Sequence, residues 1–182
     1  MRIISGTARG TNLFTLEGND TRPTLDRVKE SLFNIISLKI YDSVVLDLFS
    51  GSGAIGLEFA SRGAKEVTLC DNSKKAIQII KRNIEKTHLE EKIKLFNCDY
   101  IELLKKNKNK KFNIIYLDPP YKTNYIINAI RLLLEYDMLD EEGIIIAETD
   151  EPEKVEEFLN ERKISNFEKR KYGRAFLFFI TI

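Results

Sequence analysis

The 182-residue sequence has a single histidine, His88, and only two cysteines, Cys70 and Cys98. One histidine leaves no basis for a histidine-built metal site or a Ser-His-Asp triad. The two cysteines match neither a metal-ligand spacing nor a disulfide framework. Each falls near the end of a predicted strand, where a small buried apolar side chain fits. No apolar run reaches the roughly 18 residues of a membrane helix. The start, Met1-Arg2-Ile3-Ile4-Ser5-Gly6, lacks the apolar stretch of a signal peptide. The expectation is a cytoplasmic chain with no membrane partner and no metal. The length suits one domain and leaves little room for a second.

Hydrophobic residues make up 43% and charged residues 31%, which permits a packed core and argues against disorder. The net charge of +1 excludes a polycation, but positive charge is unevenly spread. The run Lys105–Lys111 is read as a solvated loop. A second cluster, Arg162, Lys163, Lys169, Arg170, Lys171 and Arg174 against the lone Glu168, is a candidate phosphate-facing surface.

From about residue 44 onward, strand-like and helix-like segments alternate. Val44–Leu48, Glu66–Cys70, Ile93–Phe96, Phe112–Leu117 and Ile144–Ala147 read as strands. Phe112–Leu117 is almost wholly apolar, as a strand buried on both faces requires. Between them lie a helix over 54–61, one capped by Ser73 with an Ala76, Ile77, Ile80, Ile84 stripe, and a short helix after Asp99. A fourth is capped by Thr123 and turns Ile126, Ile130 and Leu133 inward. Pro152 opens a last helix carrying Val155, Phe158 and Leu159. Phe167–Tyr172 and Ala175–Ile182 then form a strand pair around Gly173-Arg174. Repeated βα units predict a mostly parallel sheet with helices on both faces. Residues 1–40 read as an N-terminal extension of the same domain: a short strand pair, then a helix with Thr24 as N-cap and a Leu25, Val28, Leu32, Phe33, Ile36 stripe. Residues 41–182 form the main body.

Asp47-Leu48-Phe49-Ser50-Gly51-Ser52-Gly53-Ala54-Ile55-Gly56 joins the first strand to its helix. Glycines there allow a tight turn close to a ligand, and the helix N-terminus suits an anion. Asp71 ends the second strand, where a carboxylate can accept from both ribose hydroxyls. Together they indicate a nucleoside-containing cofactor. Asp47, four residues before Gly51, would repel a pyrophosphate but suits a cationic amino group, which favours S-adenosylmethionine over NAD. Asp99 is either an acceptor for the adenine amine or a helix cap.

Asp118-Pro119-Pro120-Tyr121 is the sharpest feature. Two prolines remove two backbone donors and stiffen the strand end. What remains is a pair of acceptors, the Asp118 carboxylate and the Pro119 carbonyl, which match the two N–H bonds of an exocyclic amine. Holding both protons favours a pyramidal nitrogen whose lone pair can attack a sulfonium methyl. Tyr121 offers a face for stacking on the base.

The chain resembles the class I, Rossmann-like methyltransferases, and within them the RsmD family of 16S rRNA guanine-N2 methyltransferases. Three blocks carry the resemblance: Arg2-Ile3-Ile4-Ser5-Gly6 with Arg9-Gly10; Thr21-Arg22-Pro23-Thr24-Leu25-Asp26-Arg27-Val28-Lys29-Glu30-Ser31-Leu32-Phe33-Asn34; and Asp47 to Gly53 with Asp118 to Tyr121. It implies a seven-stranded sheet of order 3-2-1-4-5-7-6 with strand 7 antiparallel. It also implies methylation of guanine 966 of 16S rRNA at N2, on free RNA or in an assembling small ribosomal subunit, by a monomer. Asp47, Phe49, Gly51, Ser52, Gly53, Asp71, Asn72, Asp99 and Tyr100 would hold S-adenosylmethionine. Asp118, Pro119, Pro120 and Tyr121 would hold the guanine amine, and Arg2, Arg9, Arg22, Thr24, Arg27, Lys122, Lys171 and Arg174 would face RNA. Two other readings are a DNA adenine-N6 methyltransferase, which shares Asp-Pro-Pro-Tyr but usually needs a target-recognition region, and a non-catalytic cofactor- or RNA-binding subunit, which has no use for an amine-orienting site.

Overall fold

The computed structural model describes residues 1–16, 23–121 and 123–182; for 23–26 it describes the backbone alone. Seven strands form one sheet: β1 (Val44–Asp47), β2 (Glu66–Asp71), β3 (Ile93–Asn97), β4 (Phe112–Leu117), β5 (Leu139–Thr149), β6 (Phe167–Tyr172) and β7 (Ala175–Ile180). Their order is β3-β2-β1-β4-β5-β7-β6, as the resemblance implies. Strands β1 to β5 run parallel, and β7 runs antiparallel to both β5 and β6. The helices are α1 (Pro23–Ile35), α2 (Ala54–Ser61), α3 (Lys74–Thr87), α4 (Tyr100–Lys106), α5 (Tyr125–Glu135) and α6 (Pro152–Glu161).

Neighbouring residues of the central strands point to opposite faces, so each apolar run feeds two cores. Val45, Ile114, Ile144, Ile146 and Phe179 meet α1, α2 and α3 through Phe33, Leu57 and Ile80. Leu46, Ile115, Ile145, Phe178 and Ile180 meet α4, α5 and α6 through Leu104, Ile130 and Phe158. This is why β1, β4 and the Ile144–Ala147 stretch of β5 carry almost no polar residues until their carboxyl ends.

The N-terminal strand pair is reduced to a single antiparallel bridge, Arg2 with Asn12. Backbone bonds join Ile3 to Thr11 (3.0 Å), Gly10 to Ile3 (2.9 Å) and Leu13 to Met1 (2.9 Å) within the arm, and α2 holds it from outside as well. Glu58 of α2, fully buried, accepts from the amides of Ile4 (2.8 Å) and Ser5 (3.0 Å). The same carboxylate pairs with Lys29 of α1 (3.0 Å) and Arg62 (2.7 Å), so a buried charge is fully compensated.

Three local expectations change. Helix α1 already includes Thr24, so that residue lies inside the helix and is not its N-cap; Pro23 opens the helix, a position where a missing N–H costs nothing. Thr123 stands one residue before the α5 N-cap, Asn124; its hydroxyl donates to the Pro120 carbonyl at 2.8 Å and so ties down the Asp-Pro-Pro-Tyr turn. Strand β5 begins at Leu139, five residues earlier than its apolar run, with an irregular register against β4 between Phe112 and Ile114.

Candidate active site

The carboxyl ends of β1, β2, β4 and β5 open on one cavity of about 600 Å³. Open α/β sheets bind ligands at this edge. Its walls include Asp47 to Ser52, Asp71 to Ser73, Cys98, Tyr100, Tyr116, Asp118 to Tyr121, Tyr125 and Glu148, with Met1, Thr15 and Leu16 of the arm. Of the residues expected from the sequence, the glycine loop, Asp71, Asn72, Tyr100 and all of Asp118 to Tyr121 thus share one space. Gly53, behind the loop, is the α2 N-cap at φ 77°, a conformation that favours glycine.

The glycine loop is fixed by carboxylates. Asp71 accepts from the Gly51 amide at 2.9 Å through one oxygen and from the Ser73 amide at 2.8 Å through the other. Asp47 accepts from the Gly56 amide at 3.1 Å. A Cβ on Gly56 would lie 2.1 Å from the Leu69 side chain, so only glycine lets α2 approach the sheet this closely. The first turn of α2, read from the sequence as an anion site, therefore already serves the protein's own Asp47. The other Asp47 oxygen, Oδ1, is buried with no hydrogen-bond partner among the described residues. Burial, with the negative charge of Asp71 beside it, pushes the Asp47 carboxyl up to about 7 against the opposing Gly56 and Ser50 hydrogen bonds. An orphaned, desolvated acceptor of this kind suits a cation.

Phe49, Tyr100 and Tyr125 group their rings along one wall, with Phe49 and Tyr125 stacked at 6.3 Å. Asp99 is exposed, and its Oδ1 caps α4 by accepting from the Ile101 amide at 2.8 Å. Its neighbours Cys98 and Tyr100 line the cavity, whereas Asp99 does not. Cys98 is only half-buried, unlike Cys70, and their sulfurs stand 4.0 Å apart.

The β4 end differs. Asp118 directly follows the last residue of the strand, and among the described residues nothing donates to its carboxylate. Burial, then the charges of Glu148 and Asp47, hold its carboxyl well above the usual range. Pro119 is buried, and Tyr121 is half exposed. Burial and the nearby acids Glu148, Asp118 and Asp150 push the Tyr121 phenol up to about 12.

Two residues here escaped the sequence reading. Glu148 follows the apolar run of β5 and accepts from the Tyr116 hydroxyl at 2.7 Å; its signal is an acid closing an apolar run, as Asp47, Asp71 and Asp118 do. Asn83 of α3 is fully buried. Its amide pairs with both backbone groups of Phe14 (2.8 and 2.9 Å) and donates to the Ser52 carbonyl at 2.9 Å. It thus joins the arm to the glycine loop, and its signal is one amide inside the Ala76, Ile80, Thr87 stripe.

The basic residues are scattered. Arg2 and Arg9 are exposed on the arm. Arg9 follows Ala8, which is bonded to Ser61 at the far end of α2, a helix length of roughly 12 Å from the cavity edge. Arg27 and Arg170 line a shallow surface groove between α1 and β6. Arg174, in the β6–β7 turn, stands at the cavity edge of the sheet, because Thr149 pairs with Phe176 just beyond it. Lys171 is exposed on β6, the edge strand. Arg22 and Lys122 lie outside the described residues, as does the Thr24 side chain.

With this geometry in view, the comparisons with known proteins are direct. Residues 1–181 match the family described as "Conserved hypothetical protein 95". The chain is 38% identical over 152 residues to Ribosomal RNA small subunit methyltransferase D of Haemophilus influenzae, covering 82% of this chain and 79% of the relative. It is 35% identical over 150 residues to the protein of the same name in Escherichia coli, covering 82% and 75%. A solved structure of a hypothetical protein from Thermus thermophilus superposes with a TM-score of 0.82 at 25% identity, covering 100% of this chain and 99% of that one. The chain belongs to the conserved hypothetical protein 95 family, the RsmD family of class I, S-adenosylmethionine-dependent methyltransferases.

Proposed function

We propose that this chain methylates the exocyclic N2 amine of a guanine in 16S ribosomal RNA, with S-adenosylmethionine as donor. The observation that carries the reading is the opening of Asp118-Pro119-Pro120-Tyr121 onto the same cavity as the glycine loop. The name Ribosomal RNA small subunit methyltransferase D, borne by relatives that align over most of their length, supports ribosomal RNA as the substrate class.

The donor, when bound, supplies an electrophilic methyl group on a sulfonium. The cavity suits it, because an acidic pocket with an orphaned Asp47 oxygen stabilises the positive charges of its sulfonium and ammonium. Asp47 would take the ammonium beside Gly51, Ser52 and Gly53, and Phe49 would pack against the methionine chain. Asp71 keeps lone pairs for the ribose hydroxyls, next to Asn72. Tyr100 would flank the adenine, whereas Asp99, outside the cavity wall, serves as the α4 cap.

On the substrate side, Asp118 and the Pro119 carbonyl accept the two amine protons and leave the nitrogen lone pair free. Pro120, held through its carbonyl by Thr123, keeps the turn rigid. Tyr121 stacks on the base. Methylation leaves an extra proton on the nitrogen, and the Asp118 carboxylate, already disposed to bind a proton, is the acceptor. Arg174 and Lys171 meet RNA phosphates at the rim, with Arg27 on α1; Arg2, Arg9, Arg22, Thr24 and Lys122 complete the proposed RNA surface. The test is mass spectrometry of nucleosides from 16S rRNA incubated with the donor, with and without the protein. N2-methylguanosine is the expected product; N6-methyladenosine alone, or no new nucleoside, rejects the reading.

A further inference from the structure

We infer that Glu148 selects guanine over adenine at this site, by accepting the ring N1–H next to the amine that Asp118 holds. The inference rests on the guanine-N2 reading above and deepens it, since Asp-Pro-Pro-Tyr by itself serves either base.

The register of the sheet sets the two carboxylates side by side. Leu117 of β4 pairs with Ala147 of β5, and Asp118 and Glu148 are the next residues along these parallel strands. Adjacent strands lie about 4.8 Å apart. Both residues line the cavity. Tyr116, which pairs with Asp47 of β1, donates its hydroxyl to Glu148 Oε2 and so fixes the carboxylate from below. The other oxygen, Oε1, accepts from no described residue.

A role limited to satisfying Tyr116 needs only a neutral acceptor. A carboxylate beside Asp118, with no cation among the described residues pairing it, is a costly choice unless a ligand supplies the donors. Guanine presents two adjacent donors, N1–H and N2–H, to two adjacent carboxylates. Adenine presents its amine next to a ring nitrogen lone pair, which would face Glu148 oxygen to lone pair. A site built to hydrogen-bond a substrate N–H rejects an analogue lacking it by a large factor.

The test uses the full chain and two short RNAs of the 16S target segment, one with guanine and one with 2-aminopurine at the methylated position. 2-Aminopurine keeps the exocyclic amine but carries a lone pair at N1. The wild-type chain is expected to prefer guanine in kcat/KM. Glu148→Gln, whose amide can donate to that lone pair, is expected to narrow the preference by about tenfold or more. Tyr116→Phe, which removes only the hydroxyl orienting Glu148, narrows it less and serves if the first variant does not fold. An unchanged preference in a variant that melts and binds S-adenosylmethionine like the wild type overturns the inference while the guanine reading stands. Methylation of neither RNA by the wild type removes the guanine reading and this inference with it.

Discussion

The two halves of the cavity treat their carboxylates in opposite ways. On the β1–β2 side, backbone amides already hold the lining carboxylates in place: Gly51 and Ser73 take both oxygens of Asp71, and Gly56 takes one oxygen of Asp47, whose Oδ1 alone stays open. On the β4–β5 side, Asp118 receives no donor from the described residues and Glu148 receives one hydroxyl. The first arrangement builds a fixed socket before any ligand arrives. The second leaves acceptors for the substrate to satisfy, which is costly in the free protein and favours a ligand that brings N–H groups. On the proposed function, cofactor binding and reaction fall on opposite sides of the β1–β4 boundary.

The largest effect should come from the open side. Asp118→Ala is expected to lower kcat for RNA methylation by about 10²–10³-fold while S-adenosylmethionine affinity, read by calorimetry, stays within about twofold. Wild-type turnover in this variant would erase the distinction between the halves. On the closed side, Asp71→Ala should weaken cofactor binding by about 10- to 100-fold and also lower the melting temperature, because Gly51 and Ser73 lose their acceptor. Unchanged affinity would mean that Asp71 only shapes the loop.

Smaller effects test the rim and the proton. Charge reversal at Lys171 and Arg174 together should reduce RNA affinity about tenfold and flatten its dependence on salt, with cofactor affinity unchanged. An unaltered salt slope would take these two residues out of the RNA surface.

Asp47 gives a pH signature. Its folded-state carboxyl is raised from 3.8 to about 7, so the native state holds the proton more tightly than the unfolded chain. That contribution favours the fold at acid pH and fades as pH rises from about 4 to 7. A bound cation reverses the preference, so cofactor binding near pH 6.5 should release up to one proton. Calorimetry in buffers of different ionisation enthalpy detects it, and Asp47→Asn should abolish it. An equal release from the variant would place the proton elsewhere.

Much of this was legible in the residues. The apolar runs of β1, β2 and β4 stand out because both of their faces are buried, and acids at their ends mark the functional edge. What was missed has a physical reason in each case. The first residues of β5, Leu139 to Gly143, fall outside the apolar run because Asp140, Glu141 and Glu142 are charged, and the stretch pairs irregularly and is partly exposed. Thr24 and Thr123 have the chemistry of caps, but Pro23 already opens α1 and Thr123 is drawn to the Pro120 carbonyl. Asn83 and Glu148 have no partner at a fixed spacing in sequence; their partners, Phe14, Ser52 and Tyr116, come from other elements.

Glu58 has a consequence for how the protein opens. One carboxylate gathers the arm, α1 and α2, through Ile4, Ser5, Lys29 and Arg62. Releasing the arm strips two amide donors from a buried carboxylate, and releasing α1 removes one of its two cations, so the arm and α1 are expected to open together. Amide hydrogen exchange at Ile4 and Ser5 should then keep pace with that of α1 rather than with a loose terminus.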